Sequence, residues 1–424
     1  MLLHLYTLLS YLATPFLPLL VLKRWWHGKE IPGRWLERFG ISHTKRPRGK
    51  LVWLHAASVG EVNSIVPVIN ELHKVRPDWH FLITTITVTG NQAALKGLDK
   101  TAIIQFLPMD APPYIALFLR RWQPDLALFV DSEIWPNLLR SIKKHSITLI
   151  LLNARMSTKS FNKWSNYPKT AATLVQLFDL IFPSTKIDHE RFANLGARNI
   201  TYIGHLKYST PPLTYNEENL QQLKAQIGLR PVFLCSSIHH GEISVCLSIH
   251  SSLRQKYPQL LTIIAPRHPE DGKAIIAAAI KQGINSTQRS KNGKINDKAE
   301  IYVADTIGEL GLWYRLTPMA FIGGSLIDHG GQNMLEPARL ACVPIVGPHI
   351  HNFTAIMEEM TTHHTVITCA DAAAVAQAAI HLMQDAAALQ SYKDNCLKFS
   401  ASRENILTET INTLLKYVDE NTEK

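Results

Sequence analysis

The chain has 424 residues, 46% of them hydrophobic and 18% charged, which is too long for one growing hydrophobic core and too apolar for a disordered polymer, so two packed domains are expected. Its 44 basic and 34 acidic residues give a formal charge of +10, which calls for an anionic partner; no zinc-finger spacing, RNP-like aromatic motif or long basic helix accompanies it, so nucleic acid is disfavoured. Cys235, Cys246, Cys342, Cys369 and Cys396 stand singly without metal-ligand spacing, as reduced thiols of a cytosolic body do.

Residues 1–22 contain no Lys, Arg, Asp or Glu and, as a helix, approach the thickness of a bilayer's hydrocarbon core. Cations follow this run instead of preceding it, from Lys23 and Arg24 through Lys50, which is the reverse of a cleaved signal and leaves the body cytoplasmic by the positive-inside rule. Trp25, Trp26 and Trp35 among those cations suit head-group depth, so residues 23–49 are expected to form a basic segment against anionic lipids. Pro15 and Pro18 would kink a spanning helix. The alternative is a buried N-terminal helix.

From residue 50, apolar runs at 51–54, 81–85, 103–107, 126–130, 148–152 and 180–182 read as buried strands with helices between them, the pattern of a parallel sheet. The pattern restarts at 232–235 and continues at 261–265, 301–303, 320–322 and 344–346. This predicts an α/β chain of two Rossmann-like domains, 50–207 and 219–402, joined by a linker at 208–218 that holds Pro211 and Pro212. A last helix near 403–418 is expected to cross back onto the first domain.

Several strand ends carry candidate chemistry. Glu61 follows Ala56-Ala57-Ser58-Val59-Gly60, small residues that leave room for a substrate, and is either a proton acceptor for a hydroxyl or a first-turn acid favoured by the helix dipole. Asp131 and Glu133 end another strand; their D-x-E spacing resembles a metal motif, but no further acid–histidine cluster supplies ligands, so no metal is expected, and helix capping is the plainer alternative. Arg155 can pair with these acids or bind substrate.

In the second half, Arg267 in Ala265-Pro266-Arg267-His268-Pro269 suits a phosphate. Gly323-Gly324-Ser325 offers bare backbone N–H groups to oxyanions. The turn Gly330-Gly331 opens a helix whose Glu336 can accept ribose hydroxyls or merely compensate the helix dipole. Glycine turns recurring after successive strands point to a nucleotide site.

Together, the apolar N-terminus, Ser58-Val59-Gly60-Glu61, Asn153-Ala154-Arg155-Met156-Ser157, Pro266-Arg267-His268-Pro269, Gly323-Gly324-Ser325-Leu326, Asn333-Met334-Leu335-Glu336 and Gly347-Pro348-His349 resemble the Kdo (3-deoxy-D-manno-octulosonic acid) transferase family over nearly the whole chain. The resemblance implies a GT-B fold and inverting transfer of Kdo from CMP-Kdo to a lipid A precursor, lipid IVA, at the cytoplasmic side of the cell inner membrane in Gram-negative lipopolysaccharide synthesis, with no cofactor. It further implies that Glu61 is the general base, that Asp131 and Lys207 stabilise the transition state, and that Pro266, Arg267, Ile307, Gly308, Glu309, Gly324, Ser325, Asn333, Met334, Leu335 and Glu336 hold the donor. Members carry Glu where this chain has Asp131, Ser-Thr-His-Glu-Gly-Glu where it has Ser237-Ile238-His239-His240-Gly241-Glu242, and a small polar residue at His205. Two other readings are a different GT-B enzyme using a UDP-sugar and a membrane protein that binds a sugar nucleotide without turnover.

Overall fold

The computed structural model describes residues 2–98, 102–209 and 212–422. Met1 of the apolar run and Thr210 and Pro211 of the expected linker lie outside the described residues. The chain divides into two compact units, Met1–Thr210 with Glu404–Lys424, and Pro211–Arg403.

The first unit is built on six parallel strands, β1 (Leu51–His55), β2 (His80–Thr85), β3 (Ala102–Phe106), β4 (Leu126–Val130), β5 (Thr148–Ala154) and β6 (Leu180–Pro183), in the order β3-β2-β1-β4-β5-β6. Alternate residues of each strand feed opposite faces. Val52 and Leu54 join a core under the helix Val59–Val75, while Leu51 and Trp53 join the core on the other side. With both faces buried, the strands need the continuous apolar runs seen in the sequence. The final helix, Ile406–Thr422, buries Ile411, Leu414, Leu415 and Val418 in the first of these cores.

The second unit holds seven parallel strands, β7 (Val232–Ile238), β8 (Leu261–Pro266), β9 (Ser286–Gln288), β10 (Ile301–Val303), β11 (Met319–Ile322), β12 (Val343–Val346) and β13 (Ile367–Thr368), in the order β13-β12-β11-β7-β8-β10-β9. Strands β9 and β13, absent from the sequence reading, are the two edges. All five cysteines are buried and unpaired.

The strand order reverses direction between β1 and β4 in one sheet and between β7 and β11 in the other. Crevices open at the carboxyl ends of strands at such points, so each sheet has one preferred place for a ligand.

The N-terminus forms two helices, α1 (Leu2–Ala13) and α2 (Leu17–Trp26), separated by a 3₁₀ turn at Thr14–Phe16 where Pro15 interrupts the α-helical ladder. The run Leu2–Trp26 is long and apolar enough to cross a membrane by length and composition. Its surface contradicts a buried core helix: α1 buries no side chain and α2 buries only Val21. One side of it is nevertheless bonded to the first unit. Tyr6 Oη donates to Asp110 Oδ2 (2.8 Å), Arg140 Nη1 to Thr7 Oγ1 (3.1 Å) and Tyr114 Oη to the Thr14 carbonyl (3.0 Å).

The cations from Lys23 onward are not all turned outward. Arg24 and Arg38 both bind the buried Glu30, at 2.5 and 3.1 Å, Arg34 binds Glu37 at 2.8 Å, and Arg46 lies 3.3 Å from Asp125. Lys23, Lys29, Lys45 and Arg48 form no ion pair among the described residues, and Trp26 is 80% exposed beside them.

Candidate active site

In the first unit, the β1–β4 switch point brings five charged residues, Glu61, Asp131, Glu133, Arg155 and Lys207, into one electrostatic group. Ser58, in extended conformation, ends the β1 turn, and Glu61 sits in the first turn of the helix it precedes. The Glu61 carboxylate is held at both oxygens: the Ala57 N–H donates to Oε2 (2.7 Å) and Ser58 Oγ to Oε1 (2.8 Å). Burial pushes its pKa above the usual carboxylate range; the bonds from Ser58 and Ala57 pull it back in part, while the charges of Asp131 and Glu133 push it further up.

Asp131 takes a left-handed backbone (φ 59°) just past β4, and Asn153 does the same (φ 52°) near the end of β5. Asp and Asn tolerate this region better than most side chains, and the turn carries both side chains to the sheet edge. Asn153 Nδ2 donates to Asp131 Oδ1 (2.6 Å), and Arg155 Nη1 lies 3.9 Å from Asp131 Oδ2. Burial raises the Asp131 pKa, opposed by the Asn153 bond and the charges of Arg155 and Lys207. Lys207, on the 3₁₀ turn Leu206–Ser209, is lowered by burial and held up by the charges of Asp131 and Glu61.

Glu133 has the opposite tuning. Burial alone would raise its pKa, but the hydrogen bond and charge of His55 and the Trp135 indole outweigh it, so the net shift is downward. His55 Nε2 is 3.1 Å and Trp135 Nε1 2.6 Å from Glu133 Oε2. Of two neighbouring carboxyls, Glu61 thus has its proton affinity raised and Glu133 has it lowered by their different surroundings.

His205 immediately precedes the turn that carries Lys207. It is buried, its pKa is driven well below the ordinary value by burial and by the charges of Lys207 and Arg155, and its Nδ1 accepts the Lys207 N–H (3.1 Å). A neutral ring with a lone pair at Nδ1 therefore fixes the turn that carries Lys207. The Asn153 Oδ1 accepts the N–H of Leu206 on the same turn (3.2 Å), so one asparagine ties Asp131 to it.

In the second unit, the β7–β11 switch point gathers Arg267, Asn333 and Glu336 with a set of histidines. Asn333 Nδ2 donates to Glu336 Oε1 (3.0 Å); burial raises the Glu336 pKa, and the Asn333 bond and the charges of Arg267 and Arg339 oppose it. His239 lies with its ring centroid 3.8 Å from that of His329 and its Nε2 2.9 Å from the Gln332 amide nitrogen. Burial, then the charges of His329, His268 and Arg267, push its pKa to about 4, so it is neutral and accepts from Gln332. His240 pairs with Asp271 at 2.8 Å.

Of the N–H groups expected to be bare in Gly323-Gly324-Ser325, those of Gly323 and Gly324 are engaged. The Gly323 N–H bonds the Ser236 carbonyl, and the fully buried Glu242 accepts from Gly324 N (2.7 Å) and Leu326 N (3.4 Å). At Gly324 a resident carboxylate takes the donor assigned to an oxyanion. Gly323 itself is required by packing, since a Cβ there would fall 2.5 Å from Ile238 Cα. Ser325 Oγ is also engaged, donating to the Ile322 carbonyl and accepting from Gly347 N (2.8 Å). Met334 and Leu335 bury their side chains, which leaves only backbone for a ligand.

Ile307, Gly308 and Glu309 lie apart from these contacts, past β10. Glu309 is bound by Arg289 at 2.7 Å and by Thr306, and these bonds hold its pKa down against burial. Gly308 and Glu309 line an open pocket of about 300 Å³ with Thr214, Tyr215, Asn216 and Leu312.

Among the described residues no three His, Cys, Asp or Glu side chains form a group that could hold a metal ion.

Two Rossmann-like sheets, each with polar side chains converging at its switch point, define the GT-B class of sugar-nucleotide proteins. Residues 33–210 match the family model described as 3-deoxy-D-manno-octulosonic-acid transferase (kdotransferase). The chain is 37% identical to a protein of Arabidopsis thaliana described as a probable mitochondrial 3-deoxy-D-manno-octulosonic acid transferase, over 84% of this chain and 82% of that one. It is 31% identical to the 3-deoxy-D-manno-octulosonic acid transferase of Rickettsia bellii, over 98% and 99%. The fold is similar to that of the UDP-GlcNAc 2-epimerase from Neisseria meningitidis, with a TM-score of 0.60 at 15% identity, covering 87% of this chain and 100% of that one. The chain belongs to the Kdo transferase family and is a glycosyltransferase.

Removing the Ser58 hydroxyl tests the tuning of Glu61 directly. Its bond lowers the Glu61 pKa, so Ser58→Ala is expected to raise it, moving the carboxyl's titration midpoint to higher pH in carbon-13 NMR. An unmoved midpoint would mean that the bond does not set the proton affinity.

Proposed function

We propose that the enzyme transfers Kdo from CMP-Kdo to lipid IVA with inversion at the anomeric carbon, releasing CMP, at the cytoplasmic face of the inner membrane. The observation that carries this is the doubly held, proton-receptive Glu61 beside Asp131 and Lys207 at the switch point of the first sheet.

In this reading the first unit takes the acceptor and the second the donor. An acceptor hydroxyl oxygen attacks the anomeric carbon as Glu61 takes its proton. The bond from that carbon to the phosphate oxygen breaks, and CMP leaves with the electron pair. Lys207 and Asp131 stabilise the separating charges, and Arg267 offers its guanidinium to the CMP phosphate. Pro266, Asn333 and Glu336, with the backbone of Met334 and Leu335, hold the nucleotide. Ile307, Gly308 and Glu309 contribute a wall beyond β10. The free cations from the last turn of α2 onward meet anionic lipid.

The test is mass spectrometry of the glycolipid formed from CMP-Kdo and the tetraacylated precursor, with a gain of one or more Kdo masses as the supporting result. Transfer from a UDP-sugar instead, or CMP-Kdo binding without turnover, sinks the proposal. No resident metal takes part in this scheme, so turnover is expected to survive exhaustive EDTA treatment at its full rate.

A further inference from the structure

A cavity of about 170 Å³ lies in the first unit between α2 and the carboxyl edge of its sheet. Leu20 and Val21 form one wall, and Ile86, Leu107, Met109 and Trp135, from the segments that follow β2, β3 and β4, form the other. Its three charged neighbours are already engaged. Arg24 and Arg38 bind Glu30, and Asp110 accepts from Tyr6 Oη and from the N–H groups of Asn137 and Leu138. An occupant therefore meets hydrocarbon with no polar group seeking a partner, which selects an apolar chain over a sugar or a nucleotide.

Two observations say whose chain it is. The α2 wall belongs to the exposed apolar helix, with Phe16 66%, Leu19 64% and Leu22 49% exposed around it, so a chain can enter from lipid without crossing water. The opposite wall is bonded to the acidic group at the switch point: Trp135 donates to Glu133, and the Ile86 N–H donates to the Ala57 carbonyl (3.2 Å), whose own N–H holds Glu61. A molecule whose sugar hydroxyl reaches Glu61 and whose tail fills this cavity is a glycolipid.

We propose that the cavity binds an acyl chain of the acceptor glycolipid and so positions its sugar at Glu61. The inference rests on the lipid-acceptor reading above. The acceptor's own chain, not bulk phospholipid, is the occupant.

The experiment compares transfer to the tetraacylated precursor and to its deacylated, water-soluble counterpart. The wild type is expected to favour the acylated acceptor in kcat/KM, and Met109→Trp and Leu20→Trp, which fill the cavity, to reduce that preference about tenfold, chiefly through KM. A photoreactive benzoylphenylalanine at position 20, in vesicles containing radiolabelled precursor, provides a readout that does not depend on a refilled cavity. It is expected to crosslink to the precursor in preference to excess phospholipid.

An undiminished preference in both tryptophan variants, or crosslinking to phospholipid alone, overturns the inference while leaving Kdo transfer intact. Failure of the wild type to use either acceptor would instead overturn the functional reading.

Discussion

Replacing Glu61 with glutamine is expected to lower kcat by about 10²–10⁴-fold, the range that a positioned general base contributes, while CMP binding measured by calorimetry stays at the wild-type value. The amide keeps shape and volume but cannot accept the hydroxyl proton. The comparison that gives this result meaning is Glu133→Gln. Glu133 is already held by His55 and Trp135 and has its pKa lowered, whereas Glu61 has its pKa raised by burial. If the glutamine at 133 costs as much as the glutamine at 61, or the glutamine at 61 costs nothing, Glu61 is not the base.

The second large effect is on stability. Glu30 is fully buried at its side chain and Arg38 is 6% exposed there, and the guanidinium also reaches the carbonyls of Ile86 and Leu107. Removing one member of such a pair strands the other charge in low dielectric, which typically costs about 3–5 kcal/mol. Glu30→Leu is expected to destabilise the first unit by that order in denaturant unfolding in detergent. Glu30→Leu with Arg38→Met should recover much of the loss, because a buried ion pair exchanged whole for apolar groups is often neutral. Equal losses in the single and double variants would mean that the destabilisation does not come from the stranded charge.

The same residues show what the sequence conveys and what it hides. The long strands were legible because burial on both faces demands unbroken apolar runs, as in Leu126–Val130. Strand β9, Ser286–Gln288, was not legible: three polar residues at a sheet edge need no such run. Glu61 could be picked out because its neighbours in the chain are small. Its contrast with Glu133 could not, since it depends on His55, a histidine inside an apolar strand that meets Glu133 only when β1 and β4 pair.

Arg24, Arg34 and Arg38 read as a lipid-facing cluster when counted along the chain, yet their acidic partners stand within eight residues. The local spacing of Glu30 and Glu37 was the available signal. Glu242 left a weaker one, because it reads as an ordinary helix-start acid and its partners Gly324 and Leu326 lie more than eighty residues away.

The position of Glu242 bears on how the second unit meets its ligand. With Gly324 N and Leu326 N already satisfied by an internal carboxylate, the glycine loop is assembled before any nucleotide arrives. A loop ordered in advance spends no conformational entropy at the moment of association, and its shape does not depend on a phosphate to organise it. In the proposed reaction, selectivity at that edge resides in side chains such as Arg267 set against a backbone template assembled beforehand, and the template outlasts each departing CMP.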